Sequence, residues 1–364
     1  MSKKRVVAAM SGGVDSSVTA ALLQQQGYEV IGATMQTWPD LTRDEVEQVR
    51  HGGCCSVSAV SDARRVADRL GIPYYVLNFK ENFREKVIDY FVREYTEGRT
   101  PNPCIACNRY VKFDELLRRA QALDADYVAT GHYAKVEQDA GTGRYLLKKS
   151  VDLGKDQTYA LYNLTQEQLS YTLMPLGYYQ KPQVREMARR LGLATADKPD
   201  SQEICFVLDD DYARFVQEQA PAAVVPGPIL DTRGHQLGTH KGLPFYTIGQ
   251  RKGLGFTAGT PLYVVDILPE ENAIVVGGNE DVLSSRLTAA DLNWIAFEGP
   301  TDPFPAQAKI RYGARPEACF VTPRPDGLVE VEFERPQRAI TPGQAVVFYQ
   351  DDLVLGGGTI QRGR

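Results

Sequence analysis

Apolar and polar positions follow two alternating periods along the first part of the chain. Val6 to Met10 is a short, uninterrupted apolar run that reads as a strand buried on both faces. Glu29 to Met35, Tyr74 to Asn78 and Tyr127 to Ala129 read as further strands. Helical spacing separates them. Thr19 to Gln26 is closed by Gly27, and Ser58 to Leu70 carries Val60, Ala63, Val66, Ala67 and Leu70 on one face before the stop at Gly71 and Pro73. Thr42 to Val49, Asn82 to Glu97, a stretch from near Asn108 to Leu123, Lys181 to Leu191 and Tyr212 to Gln219 also read as helices. Strands alternating with helices of this length predict an α/β fold, a doubly wound parallel sheet covered on both faces.

Past Gln219 the pattern changes. Strands become short, Gly and Pro punctuate them, and helical spacing disappears, as at Gly227 to Leu230, Leu262 to Leu268 and Ala273 to Val276. A second break falls near Glu280 to Ser285. Beyond it, strands at Ala306 to Tyr312, Ala318 to Thr322, Val329 to Phe333 and Ala345 to Tyr349 suit a small barrel. The predicted units are therefore 1–215, a β-rich 216–282 and a C-terminal β-barrel, 283–364.

Composition adds limits. Hydrophobic and charged fractions of 43% and 24% are those of a soluble globular protein. No apolar run is long enough to span a bilayer, and Met1 to Arg5 leads into one too short for a signal peptide, so a cytoplasmic location without membrane attachment is expected. Six cysteines are too few for a disulfide scaffold in 364 residues, which leaves catalysis or metal binding. A net charge of -5 does not by itself suggest nucleic acid, although Lys148-Lys149, Arg251-Lys252 and Lys309 with Arg311 and Arg315 are local basic clusters.

Two motifs carry chemistry. Ser11-Gly12-Gly13-Val14-Asp15-Ser16-Ser17 joins the first strand to the first helix. The glycines let a ligand approach bare backbone, and the serines add hydroxyls beside the positive end of the helix, a setting for a polyphosphate. Neither a Walker loop nor a dinucleotide fingerprint fits. The second motif is Gly98-Arg99-Thr100-Pro101-Asn102-Pro103-Cys104-Ile105-Ala106-Cys107-Asn108. The two prolines are expected to keep helix out until near Asn108, which places both thiols at a helix N-terminus, where thiolates are favoured as nucleophiles or metal ligands. Cys54-Cys55 reads as a pair of buried thiols, and Cys205 by itself as a core cysteine. His132, after Gly131, reads either as a substrate contact or as an ordinary hydrogen-bonded residue.

Ser11 to Ser16 resembles the signature of the N-type ATP pyrophosphatases, adenine nucleotide α-hydrolase-like proteins that cleave ATP between its α and β phosphates. Taken together with Gly98 to Phe113, Ala129 to Tyr133, Lys155 to Tyr159, Ile204 to Phe206, Thr247 to Gly255 and Thr341 to Gly358, the chain resembles the bacterial tRNA-uridine 2-thiouridylases. That resemblance implies an enzyme that adenylates the C2 oxygen of the wobble uridine and then replaces it with sulfur. It implies ATP at Ala9, Met10, Ser11, Gly12, Gly13, Val14, Asp15, Ser16, Met35 and Gly131, with Asp15 serving Mg2+. Cys107 is implied as the attacking thiol and Cys205 as the carrier of a persulfide from a sulfur-donor protein. Contacts to tRNA are implied at Asn102, Pro103, Cys104, Lys155, Asp156, Gln157, Arg311, Tyr312 and Gln344, with His132 near the base. Many relatives have Asp in place of Cys104. The three thiols of Cys104, Cys107 and Cys205 are the ligand count for an iron–sulfur cluster, an alternative to the persulfide route. Two other functions compete, another adenylating amidotransferase or ligase and a non-catalytic, nucleotide-gated RNA-binding module.

Overall fold

The computed structural model describes residues 3–37, 57–200, 204–207, 209–255 and 260–363. The helix expected at Thr42 to Val49 and the pair Cys54-Cys55 lie outside them. Strand β1 (Arg5–Ala9) leads into helix α1 (Val14–Gln25), followed by β2 (Glu29–Gln36), α2 (Val57–Leu70) and β3 (Tyr74–Asn78). Two long helices come next, α3 (80–96) with a π-helical stretch at Arg84–Asp89, and α4 (103–121) with another at Cys107–Glu115. Then follow β4 (Tyr127–Ala129), β5 (Ala134–Gln138), β6 (Tyr145–Lys149), α5 (Gln166–Ser170), β7 (Thr172–Leu173), α6 (Lys181–Arg190) and α7 (Tyr212–Gln219).

The first sheet has the order β3-β2-β1-β4-β7 with every neighbouring pair parallel. Its central strand is apolar on both sides because helices cover both faces. Val6 and Ala8 pack with residues of α1, α2 and α6, while Val7 and Ala9 pack with residues of α3 and α4. Two helix starts differ from expectation. Helix α1 begins at Val14, directly after the glycine pair, and α4 begins at Pro103, so Cys104 and Cys107 lie inside its first turns. Proline is tolerated there because the first amide of a helix has no intrahelical partner. Asn102 supplies the cap, its Oδ1 accepting from the amides of Cys104 and Ile105 at 3.1 and 3.3 Å.

The remaining strands are β8 (Gly227–Asp231), β9 (Gln236–His240), β10 (Tyr263–Leu268), β11 (Ala273–Gly277), β12 (Leu283–Trp294), β13 (Phe304–Lys309), β14 (Glu317–Pro323), β15 (Val329–Arg338), β16 (Ala345–Gln350) and β17 (Leu353–Ile360). Strands β8 to β11 form a four-stranded sheet, and β12-β15-β14-β13-β16-β17 close into a six-stranded barrel through pairing of β12 with β17. The hairpin β5–β6, which has no counterpart in the sequence expectations, extends the barrel sheet outward from β17. One apolar cluster is consequently shared, with Phe113, Leu147, Tyr159 and Tyr162 on one side and Ile295, Val347 and Val354 on the other. Polar ties reinforce it. Asn293 Nδ2 donates to the carbonyls of Tyr162 and Leu164 at 2.7 and 3.0 Å, and the Tyr159 hydroxyl donates to Ala345 O at 2.8 Å. Among the described residues, no helix is long and apolar enough to cross a membrane.

Gly356, Gly357 and Gly358 explain how β17 fits between its neighbours. A Cβ on Gly357 would stand 2.6 Å from both the Tyr162 ring and Val346 O. Gly357→Ala is expected to lower unfolding free energy by about 1–3 kcal/mol through overpacking, read as a shift in denaturant midpoint; an unchanged midpoint would contradict this account of the strand.

Candidate nucleotide and thiol site

The loop between β1 and α1 is braced from within. Ser11 N donates to Ser16 Oγ at 3.1 Å, and the hydroxyls of Ser16 and Ser17 donate to Gly13 O at 3.2 and 2.7 Å. Ser17 is fully buried and also accepts from Thr195 at 3.1 Å, so its hydroxyl faces the interior and not a ligand. Gly13 occupies the N-cap position without a side-chain cap, which leaves the first-turn amides of α1 as an anion-binding terminus. Gly12 has φ +66°, and a Cβ there would stand 2.3 Å from Ala59 O. Gly131 also packs tightly against the loop, its missing Cβ 2.8 Å from Ser16 N. Met10 is core, its amide donating to Ala33 O at 2.8 Å and its carbonyl accepting from Thr34 at 2.6 Å. Ala9 is also buried, and Met35, half-buried, packs against the same apolar cluster as Ala9.

Charges surround this loop in a pattern the sequence did not reveal. Lys181 Nζ lies 2.8 and 2.7 Å from the two carboxylate oxygens of Asp15, and the Tyr133 hydroxyl donates to Asp15 Oδ1 at 2.8 Å. Lys181 also pairs with Asp200 at 2.8 Å, and Asp200 receives Lys155 at 2.8 Å and Arg185 at 3.0 Å. Burial alone would raise the Asp200 carboxyl, but the hydrogen bonds from Lys155 and Lys181 hold it below the usual carboxylate range. Burial, followed by Asp15, drives the Tyr133 phenol upward, so it remains a donor. On the opposite flank Lys198 donates to Gly12 O at 3.0 Å and pairs with Asp62 at 2.7 Å. Lys181 could have been suspected only from its place at a helix start before Pro182; its partners are remote in sequence.

The thiols are arranged differently from one another. Cys104 is exposed, whereas Cys107 and Cys205 are half-buried against the apolar cluster that also holds Val7, Ala9, Phe83 and Val111. Phe206 anchors the second thiol, its ring within 5.9, 5.1 and 5.3 Å of those of Phe83, Phe91 and Phe215. Among the described residues, no three His, Cys, Asp or Glu side chains are grouped as metal ligands. Among the described residues, Cys104, Cys107 and Cys205 are therefore not assembled as ligands of an iron–sulfur cluster.

The side chains expected to face tRNA fall into two groups. Gln157, Asp156 and Gln344 are engaged internally. Gln157 Oε1 accepts from Tyr133 N at 2.9 Å, Asp156 accepts from Ser150 N and Thr158 at 3.1 and 2.6 Å, and Gln344 donates to the carbonyls of Thr100 and Pro101 at 3.1 and 3.3 Å. Asn102 is the helix cap already described, Pro103 is buried, and Arg311 donates to Arg338 O. Tyr312, half exposed, reaches Asp156 O at 3.4 Å and meets the edge of Tyr159 with ring centres 6.3 Å apart. Lys309 lies 5.6 and 5.3 Å over those two rings. His132 accepts or donates at Nδ1 to Thr130 Oγ1 at 2.7 Å, and burial, then Lys112, hold the imidazole well below its usual value and neutral.

The comparisons with known proteins agree across the whole chain. The family described as tRNA methyl transferase HUP domain matches residues 4–209, the tRNA methyl transferase PRC-barrel domain 213–278 and the Aminomethyltransferase beta-barrel domain 284–360. The tRNA-specific 2-thiouridylase MnmA of Symbiobacterium thermophilum is 62% identical over 99% of this chain and 92% of its own length. MnmA 1 of Thermoanaerobacter pseudethanolicus is 60% identical over 98% of each chain. Among solved structures, NMN synthetase from Francisella tularensis is 16% identical, covers 60% of this chain and 77% of its own, and has a TM-score of 0.34. With the domain matches and the full-length relatives in agreement, the chain belongs to the tRNA-specific 2-thiouridylase MnmA family.

Proposed function

We propose that this chain uses ATP to place sulfur at C2 of the wobble uridine of tRNA. Uracil O2 attacks the α-phosphorus of ATP, pyrophosphate leaves, and the oxygen becomes part of an AMP leaving group. Open amides of α1 hold the polyphosphate. Asp15, whose two oxygens Lys181 holds, would have to exchange that ammonium for Mg2+, a cation that commonly takes one or two carboxylates together with substrate phosphates and would supply charge neutralisation there.

The Cys205 thiolate attacks the outer sulfur of a donor protein's persulfide; the donor's S–S bond breaks, its own cysteine leaves as a thiolate, and Cys205 becomes the persulfide. The persulfide sulfur attacks C2, and AMP departs with the C–O electron pair. Cys107 thiolate then attacks Cys205 Sγ; the S–S bond to the base breaks, leaving 2-thiouridine and a Cys107–Cys205 disulfide that a thiol reductant reopens. The observation that carries this reading is that Cys107 and Cys205, remote in sequence, border one apolar cluster beneath the strand entering the phosphate loop. Tyr312, half exposed beneath Lys309, gives an aromatic face suited to an unstacked base. The neutral imidazole of His132 suits a neutral base edge better than a phosphate.

Incubation with unmodified tRNA, ATP, Mg2+ and a sulfide source, followed by mass spectrometry of the wobble nucleoside, tests the assignment. Cys205→Ser and Cys107→Ser are each expected to reduce persulfide-supported thiolation roughly a thousandfold or more; retained activity in either variant points to another adenylating chemistry. Asp15→Asn is expected to slow tRNA-dependent pyrophosphate release by roughly a hundredfold, and an unaffected rate removes Asp15 from the nucleotide site.

A further inference from the structure

Two successive peptides of the phosphate loop are fixed in different ways. The Gly13–Val14 peptide is held from within, since Gly13 O accepts from Ser17 N at 3.2 Å and from the hydroxyls of Ser16 and Ser17 at 3.2 and 2.7 Å. The Gly12–Gly13 peptide is held from outside. Gly12 O accepts from Lys198 Nζ at 3.0 Å, a contact across 186 positions of chain, and Asp62 of α2 anchors the same ammonium at 2.7 Å. Among the described residues no peptide bond is cis, and in a trans peptide C=O and N–H point in opposite directions. Gripping Gly12 O therefore aims the Gly13 N–H away from the ammonium.

This peptide is also one that the sequence makes easy to turn over. Rotating a peptide by half a turn changes ψ of the residue before it and φ of the residue after it. Both are glycines here, Gly12 at φ +66° and Gly13 at φ −98° and ψ 166°. A flip would carry Gly13 to positive φ at extended ψ, a region open essentially to glycine alone. It would also set a carbonyl oxygen where an amide stands, so that an anion would meet the negative end of a dipole in place of a donor.

We infer that Lys198 is a positioning residue, which locks the Gly12–Gly13 peptide with its Gly13 amide turned towards the polyphosphate. This inference rests on the reading of the loop as a polyphosphate site. Direct neutralisation of phosphate by Lys198 fits less well, because the ammonium lies on the carbonyl side of the peptide and Asp62 already balances its charge. Asp62 also pairs with Arg65, so replacement of Lys198 leaves no carboxylate unpaired.

Calorimetric titration of the full-length protein with inorganic pyrophosphate and, separately, with adenosine tests the lock. Lys198→Met should weaken pyrophosphate binding roughly tenfold, the loss expected for one charge-assisted hydrogen bond, and change adenosine binding by no more than about twofold. Lys198→Arg keeps a cationic donor and should recover most of the loss. The double variant separates positioning from direct contact. Gly13→Ala retains the amide, meets Ser11 Oγ at an ordinary 3.6 Å and closes the flipped region to residue 13. In that background Lys198→Met should cost no more than about twofold. Equal losses in the two backgrounds, equal losses for pyrophosphate and adenosine, or no loss for pyrophosphate overturn the inference. Where Gly13→Ala itself blocks pyrophosphate, the Gly13 amide signal of ligand-free protein labelled with 15N-glycine decides; it should divide or broaden in Lys198→Met, and an unchanged signal overturns the lock. If the unsubstituted protein binds neither pyrophosphate nor ATP, the polyphosphate reading fails, while the same amide signal still decides whether Lys198 holds the peptide.

Discussion

A lysine ammonium as enclosed as that of Lys181 persists only between carboxylates, and that requirement organises the first unit. The side chain is 9% exposed and lies 2.7 Å from Asp15 and 2.8 Å from Asp200. Loss of one member of such a buried pair typically costs about 3–5 kcal/mol, because the remaining charge has neither water nor partner. The first turn of α1, the N-terminus of α6 and Asp200 are thus brought to one point by charge. Tyr133 completes the arrangement from β4's side of the sheet, its phenol kept protonated by burial and by Asp15.

The thiol helix is placed by a second constraint, the core shared with the barrel. Phe113 of α4 belongs to the same cluster as Val347 of β16 and Val354 of β17. Arg109, two residues past Cys107, pairs with Asp291 on β12. The Asn102 loop is tied from the barrel end as well, since Thr100 N donates to Pro342 O at 2.9 Å and Gln344 donates back to Thr100 and Pro101. A helix that carries a π-helical stretch where Cys107 lies is held from both ends, and such stretches recur where a helix must aim a functional side chain.

The parallel sheet and most of its helices were legible in the sequence because both-face burial and helical spacing are local patterns. Tyr74–Asn78, Tyr127–Ala129 and Tyr212–Gln219 have the bounds that periodicity suggests. What was not legible depends on tertiary context. The glycines at 356–358 lie inside β17, where neighbouring backbones and rings approach too closely for any Cβ, a demand that only the tertiary packing sets. Helix α4 starts earlier than its prolines suggest, because Pro103 stands at the first helical position, where the missing amide has no partner to lose. In the site, the phosphate loop and the Cys104–Cys107 stretch are legible in the residues and Cys205 only through the resemblance, whereas Lys181, Arg185 and Asp200 are not legible at all. Salt bridges across 15 to 166 positions leave no mark of spacing in a chain.

An acidic chain in a family that acts on tRNA looks paradoxical until the acids are located. Glu115 is held by Arg118 and Arg119, Asp209 and Glu218 by Arg214, and Glu332 by Arg286, all neutralised close by. Net charge of -5 therefore describes the sum and not the field at any one face. At Tyr312 the pattern is different. Burial pulls the Lys309 ammonium down, Asp156 opposes that and Lys149 adds to it, so the cation is partly desolvated over two tyrosine rings. Cation–π attraction of that kind strengthens as water is excluded and acts over a few ångströms, unlike the long-range pull of a basic groove. Under the proposed function, a base would have to be turned out onto the exposed face of Tyr312, since Tyr159 is fully buried, and chemistry at a uracil carbonyl demands the same unstacked conformation.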